Sequence, residues 1–366
     1  MSFNFPSPAT EGQVVTFVEG PSYQYSGGVW NRYATGSIQT AQSRNRIVNG
    51  AMQVSQENGD TATAGYPVDQ WSTATNLTVL ANRHPSIKSP NGSRVIQPYV
   101  TTAKPALAAG DFWRVNQSIE GIRIADFLWG TASARQVVLR FWVSAQTTAG
   151  TYTVQVQNAA ANRTFLAPFS APLYPTWKEV VIVIPGDTTG VWPTDNSFAL
   201  LLAFTLAAGT TFQGVAGWQA GNLVGIAGSS NGAAVVNNSL LISDVGLYLD
   251  PLGTNLPPPW QMPDEAEELL ACQRYFQWFP FNFSFYSSVA SMTIHTPCAL
   301  IVKMRTTPTT ATITADPEGI GAAAANNAGN VAQAMSPLQG RMSLTATAGG
   351  AQCTVQGYRA PMIARM

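Results

Sequence analysis

The clearest pattern along the chain is a strict alternation at 150–157, Gly-Thr-Tyr-Thr-Val-Gln-Val-Gln. Tyr152, Val154 and Val156 fall on one face, and Thr151, Thr153, Gln155 and Gln157 on the other. A period of two predicts an antiparallel strand with one face in a core and one facing water. Residues 136–143, 177–184, 198–206 and 240–249 are β-branched or aromatic runs bounded by Gly, Pro, Asp or Asn. These predict more deeply buried strands. Many strands, turn-rich loops and no intervening amphipathic helices predict an all-β protein with a jelly-roll or β-sandwich central domain.

Three zones follow. Residues 1–43 hold Tyr23, Tyr25 and Trp30 around Gly27-Gly28, which predicts a β-hairpin. So short a piece buries little core by itself and should lie against a partner or another copy of the chain, as a small attachment region. Residues 44–252 are long enough for a full sandwich. The Pro257-Pro258-Pro259 triplet favours an extended spacer, so a C-terminal β domain at 253–366 is expected beyond it. That domain opens with one short helix at 263–276: Pro263, Asp264, Glu265, Glu267 and Glu268 suit its start, and Arg274 its end. Residues 319–330, rich in Ala, Gly and Asn, predict a loop.

Composition narrows the function. Nineteen basic side chains balance nineteen acidic ones, and charged residues are only 10% of the chain. That leaves no electrostatic footprint for nucleic acid or for an anionic membrane. The most apolar run, 198–208, is about half the length of a spanning helix, so membrane insertion is not expected. The first residues lack the basic start and apolar middle of a secretory signal, which predicts synthesis in a cytoplasm. Cys272, Cys298 and Cys353 are odd in number and widely spaced, so free buried thiols are expected rather than a disulfide framework or a zinc site.

Catalytic signals are sparse. His84 sits in a turn-like stretch and His295 in a strand-like one, with no nucleophile elbow or metal-ligand spacing nearby. The acidic cluster at 264–268 reads as helix-dipole stabilisation, while Asp111, Asp126, Asp187 and Asp195 are scattered. The Gly-rich stretch 225–232 has no Lys-Ser/Thr pair and opens no helix, unlike a phosphate loop. No catalytic residue, metal or cofactor is therefore expected. Aromatic side chains are more suggestive. Trp192 in Gly-Val-Trp-Pro-Thr-Asp, and Trp218 with Asn222 in Gly-Trp-Gln-Ala-Gly-Asn, lie in loop-like polar contexts. Rings of this kind stack on sugar C–H faces while amides bond the hydroxyls, so these three are candidate glycan contacts; core or inter-subunit packing is the competing reading for both Trp residues. Residues 278–286 are crowded with rings. If extended, alternate side chains point opposite ways, so one core cannot absorb all of Phe279, Phe281, Phe283 and Phe285. With Trp30, these are candidate contacts between subunits.

Several blocks together resemble a family of bacteriophage and prophage tail-fibre proteins. They begin with Arg44-Asn45-Arg46-Ile47-Val48-Asn49-Gly50-Ala51-Met52-Gln53-Val54-Ser55-Gln56 and Asp69-Gln70-Trp71. In order follow Gln117 to Gly121, Asp126 to Ala132, Val138 to Val143, Ile184 to Gly190, Gly217 to Asn222 and Cys272 to Phe276. They span about 44–280. Phe3 to Pro8 with Glu11-Gly12-Gln13 is similar to a short module of phage fibres and adhesins. The family's Val-Gln-Leu-Glu stands here as Val245-Gly246-Leu247-Tyr248-Leu249-Asp250, so no role for that Glu carries over. The resemblance implies a virion protein with a carbohydrate-binding-module-like β-sandwich, commonly trimeric, made in the bacterial host and displayed for contact with host-surface polysaccharide. Other virion proteins would grip the N-terminal region. It brings no catalytic residues. A head fibre, spike or decoration protein on the capsid is the structural alternative, and a polysaccharide depolymerase the enzymatic one.

Overall fold

The computed structural model describes residues 7–16, 22–33, 44–287, 293–310, 314–315, 322–323, 327–336, 339–346 and 351–366. Near the N-terminus, β1 (Val14–Thr16), β2 (Ser22–Ser26) and β3 (Val29–Tyr33) form an antiparallel sheet. The Gly27-Gly28 turn between β2 and β3 has φ of 61° and 83°, the left-handed pair that a two-residue hairpin demands. Tyr25 and Trp30 face each other across it at 5.3 Å. Residues 1–6, with Phe3 and Phe5 of the fibre-like module, lie outside the described residues.

Two antiparallel sheets form the sandwich. One has six strands in the order β14 (Gly217–Ala220), β10 (Arg163–Ala171), β9 (Gly150–Asn158), β12 (Phe198–Ala208), β7 (Phe112–Glu120) and β4 (Trp71–Thr75). The other has five: β11 (Lys178–Ile184), β8 (Val137–Ala145), β16 (Leu240–Leu249), β6 (Ile96–Val100) and β5 (Val79–Arg83). Their inner faces meet in a chain of rings. Phe141 of the second sheet lies edge-on to Phe204 at 4.7 Å and to Phe169 at 5.1 Å, and Phe204 stacks on Trp71 at 6.0 Å. Each such pair contributes about 0.5–1.5 kcal/mol beyond its buried area. All five strands read from the sequence are present, and β7 is a strand that the hydrophobic runs did not single out.

The alternation in β9 has a different cause from the expected one. Val154 and Val156 do face the core, but Thr153, Gln155 and Gln157 are equally buried. Residues 209–232 fold over that outer face, where β13 (Gln213–Gly214) and β15 (Gly225–Ile226) pair in parallel. Polar side chains persist there because backbone groups of the covering loop need partners. Gln155 donates to the Leu223 carbonyl at 2.6 Å, Thr205 to the Val224 carbonyl at 2.7 Å, and Thr153 accepts from the Ile226 N–H at 3.1 Å.

The segment 44–56 brackets the mouth of the sandwich. Asn45 accepts from the Ile47 and Leu247 N–H groups, and Gln117 clasps both backbone groups of Val48. Asn49, at φ 55°, bonds both backbone groups of Val54 and the Asp69 carbonyl. Asn adopts this left-handed backbone more readily than most residues. A one-turn helix α1 (Gly121–Ile124) lies beside the bracket, and α2 (Glu265–Gln273) docks onto it. The Asp264 carboxylate caps α2 by accepting from the Ala266 and Glu267 N–H groups, the arrangement its acidic start predicts.

Beyond α2, Phe276–Ser287 pairs antiparallel with Ala351–Ile363, while Thr293–Ala299, Gln339–Ala346 and Asn327–Ser336 form a separate sheet. The aromatic stretch is thus extended. The side chains of Phe279, Phe281, Phe283 and Phe285 lie outside the described residues. Residues 327–330, read as loop from the sequence, begin a strand instead; 319–321 and 324–326 lie outside the described residues.

Candidate functional site

The three candidate glycan contacts do not share one place. Trp192 and Trp218 meet Trp129 in a triangle of near-perpendicular rings, with centroids 4.8, 5.4 and 5.8 Å apart. Trp192 is 7% exposed and donates its indole N–H to Asp187 at 3.1 Å. Trp218, half-buried, donates to the Pro185 carbonyl at 2.8 Å, packs on Phe165 and lies under the Arg163 guanidinium. The rings therefore close one end of the core. Asn222 is exposed on the opposite side of the sheet, where its Oδ1 accepts from Gln157 at 3.0 Å. Trp113, beside Asp111, is fully buried in β7.

Asp187 holds the tryptophan end together. It accepts from Arg163 Nη2 at 2.6 Å, from the Thr189 hydroxyl, from the Gly190 N–H and from Trp192. Burial pushes its carboxyl up, but the bonds from Arg163 and Trp192 outweigh it and hold the group below the usual carboxylate range. Other carboxylates are similarly occupied: Asp111 with Lys104, Asp126 with Arg46, and Glu120 with Arg274. Asp195 accepts from the Ser197 N–H. His84 accepts from the Ser86 and Ile87 N–H groups within its turn. Cys272 is a free buried thiol, pushed well up by burial and by nearby Asp69 and Glu268. The side chains of His295, Cys298 and Cys353 lie outside the described residues. Among the described residues, no group of three or more His, Cys, Asp or Glu side chains is placed to hold a metal ion.

The outer face of the six-stranded sheet is the more distinctive surface. The register places Ala74, Arg114, Thr205, Thr153 and Pro168 in one row across it. The next row is Ser72, Asn116, Ala203, Gln155 and Leu166, and the third holds Ser118, Leu201, Gln157 and Thr164. Alanine at 203, between Asn116 and Gln155, leaves room for long side chains to lie across the central strand. Arg114 Nη1 does so and donates to Gln155 Oε1 at 2.8 Å. Asn116 donates to the Ser72 hydroxyl at 3.0 Å. Phe112 lies edge-on to Phe212 of the covering loop at 5.5 Å, with the Arg114 guanidinium 5.8 Å from its centroid.

Ser72, Phe112, Arg114, Ser118, Phe212 and Leu223 are half-exposed around these buried amides, and Asn222 stands exposed beside them. The surface combines hydroxyl, amide and guanidinium donors with apolar rings. Of its members, sequence reading found only Asn222. The missed signal was the alternation of Phe112, Arg114, Asn116 and Ser118 against Trp113, Val115 and Ile119.

No family model matches the chain, and no curated protein matches it significantly. Solved structures similar to it include the enzymatically active domain of tailspike protein 4 of bacteriophage CBA120, at 14% identity and a TM-score of 0.32, covering 56% of this chain. The match spans 21% of that tailspike chain. A TmCBM61 structure in complex with β-1,4-galactotriose is 12% identical over 57% of this chain and all of its own, with a TM-score of 0.31. A family 11 carbohydrate-binding module of a Clostridium thermocellum cellulosomal cellulase is 9% identical, covering 53% of this chain and 97% of its own, with a TM-score of 0.28.

Proposed function

We propose that the outer face of the six-stranded sheet binds glycan without turning it over. The protein would serve a bacteriophage virion as a tail fibre or receptor-binding component, made in the bacterial cytoplasm and contacting host-surface polysaccharide. The observation that carries the binding role is the set of buried amides Asn116, Gln155 and Gln157 beside half-exposed Ser72, Arg114 and Ser118. It fixes polar groups beside Phe112 and Phe212, the mixture of oriented donors and apolar surface that a sugar ring requires. The virion setting is supported by the sequence blocks of 44–280.

In this reading residues 1–43 attach to other virion proteins, 44–252 present the glycan face, and 253–366 complete the particle-facing or subunit-facing part. Trp30, Phe279, Phe281, Phe283 and Phe285 are proposed contacts in a homotrimer. Several copies on one particle convert weak single-site contacts, of about millimolar strength, into firm attachment. Affinity electrophoresis in host polysaccharide tests the binding role. Ser118→Trp, which fills the face from a half-exposed position, is expected to weaken retardation at least tenfold; retardation equal to wild type overturns the assignment of this face. Release of reducing ends by the wild-type protein would replace binding by depolymerisation.

A further inference from the structure

We propose that the glycan taken by this face is acidic, with a ring substituent carrying a carboxylate or sulfate that meets Arg114. The inference rests on the glycan reading above and narrows it. Arg114 is the arginine of this outer face, and it differs from most partly buried cations of the sandwich; Arg123 also lacks a carboxylate, but it lies beside the 44–56 segment and donates to the Arg46 and Asn45 carbonyls. Arg46, Arg83, Arg140, Arg163 and Arg274 each lie within salt-bridge distance of a carboxylate. Arg114 has none. Its one hydrogen bond goes from Nη1 to the neutral amide of Gln155, while its Nε is buried without an acceptor.

The face itself offers no compensating charge. Its rows hold Ala74, Thr205, Thr153, Ser72, Asn116, Ala203, Gln155, Ser118, Leu201 and Gln157, all neutral. Glu120, further along β7, is already spanned by two bonds from Arg274 at 2.8 and 2.9 Å. Burial alone, with no charged neighbour acting on it, lowers the guanidinium to about 10. A cation partly withdrawn from water is costly unless paired, and a guanidinium matches planar or tetrahedral oxyanions. Gln155, itself bonded to the Leu223 carbonyl, is the positioning residue that keeps Arg114 across Ala203.

The test uses the full chain and two matched pairs of polymers: polygalacturonate against its carboxyl-reduced form, and dextran sulfate against dextran. Wild type is expected to bind the acidic member at least tenfold more tightly in one pair, and the pair that discriminates identifies the substituent. Arg114→Gln is expected to bring that ratio below twofold, with an unchanged melting temperature reporting an intact fold. Arg114→Lys, retaining charge but losing the fork, should fall between. Equal binding of both members by wild type, or a preference surviving Arg114→Gln, overturns the acidic assignment while leaving glycan binding standing. Absence of binding to every polymer and to host polysaccharide overturns both.

Discussion

Removing the Asp187 carboxylate is the sharpest probe of how this sandwich closes its tryptophan-rich end. Asp187→Ala withdraws the acceptor from Arg163, Thr189, Gly190 and Trp192 at once. Trp192 is buried, so its indole N–H would be stranded at a cost of about 1–3 kcal/mol. The Arg163 side chain is 22% exposed and regains some hydration, so its unpairing falls at or below the 3–5 kcal/mol typical of a broken buried pair. Together the loss is about 3–5 kcal/mol. At about 2–4 °C per kcal/mol for a cooperative unit of 150–250 residues, the melting temperature should fall by about 6–20 °C.

The pH dependence carries a second, independent check. Because the folded carboxyl lies below its unfolded value of about 3.9, its contribution is present above that pH and disappears as pH falls through the folded value. Thermal melts followed by far-UV circular dichroism should therefore show a wide gap between wild type and Asp187→Ala at pH 7 that narrows below about pH 4. In a double-mutant cycle, Arg163→Met on the Asp187→Ala background should recover at least about 1 kcal/mol. A gap under about 2 °C at pH 7, or one that stays constant down to pH 3, refutes the role assigned to this carboxylate.

Three further outcomes follow from the packing. Glu268 accepts from the Asn49 N–H at 2.6 Å, yet burial raises its carboxyl above the ordinary range; its ionised form therefore loses stability as pH rises through the folded value, and Glu268→Gln should melt no lower than wild type at pH 7 with a flatter profile above about pH 4.5. A Cβ at Gly50 would collide with the Val245 carbonyl, so Gly50→Ala should destabilise by about 1–3 kcal/mol in urea titration. Trp218→Ala opens a void beside Trp129 and Trp192 and should cost at most about 3–5 kcal/mol, read by thermal melting with tryptophan fluorescence reporting the altered cluster.

Backbone periodicity was legible because it reflects a property of each segment alone. Leu240–Leu249, the Gly27-Gly28 hairpin and α2 with its acidic cap emerge where hydrophobic runs, left-handed glycines and helix-end charges place them. What covers a strand is not a property of the strand. Thr153, Gln155 and Gln157 carry the pattern of a wet face, but residues 209–232, far away in sequence, lie over them. The same alternation of polar and apolar residues serves water or a hydrogen-bonding loop equally well, because both satisfy hydroxyls and amides.

The aromatic residues illustrate the complementary ambiguity. Trp192 and Trp218 stand in Gly- and Pro-rich surroundings that suit a binding loop, yet those same turns let the chain double back and pack three indoles edge to face, with Trp218 against Phe165. Each indole N–H finds an acceptor there: Trp129 the Arg135 carbonyl, Trp192 the Asp187 carboxylate and Trp218 the Pro185 carbonyl. With its polar edge bonded, a tryptophan can close a core as readily as it can meet a ligand. The feature separating the two roles is a cluster of half-exposed polar side chains, Ser72, Arg114 and Ser118, set among buried amides. Asn116 Oδ1 and Arg114 Nε are both buried without partners on the opposite face. Such a cluster emerges only when the strands are in register, and it is why the ligand-facing surface is assigned to β7 and not to the tryptophans.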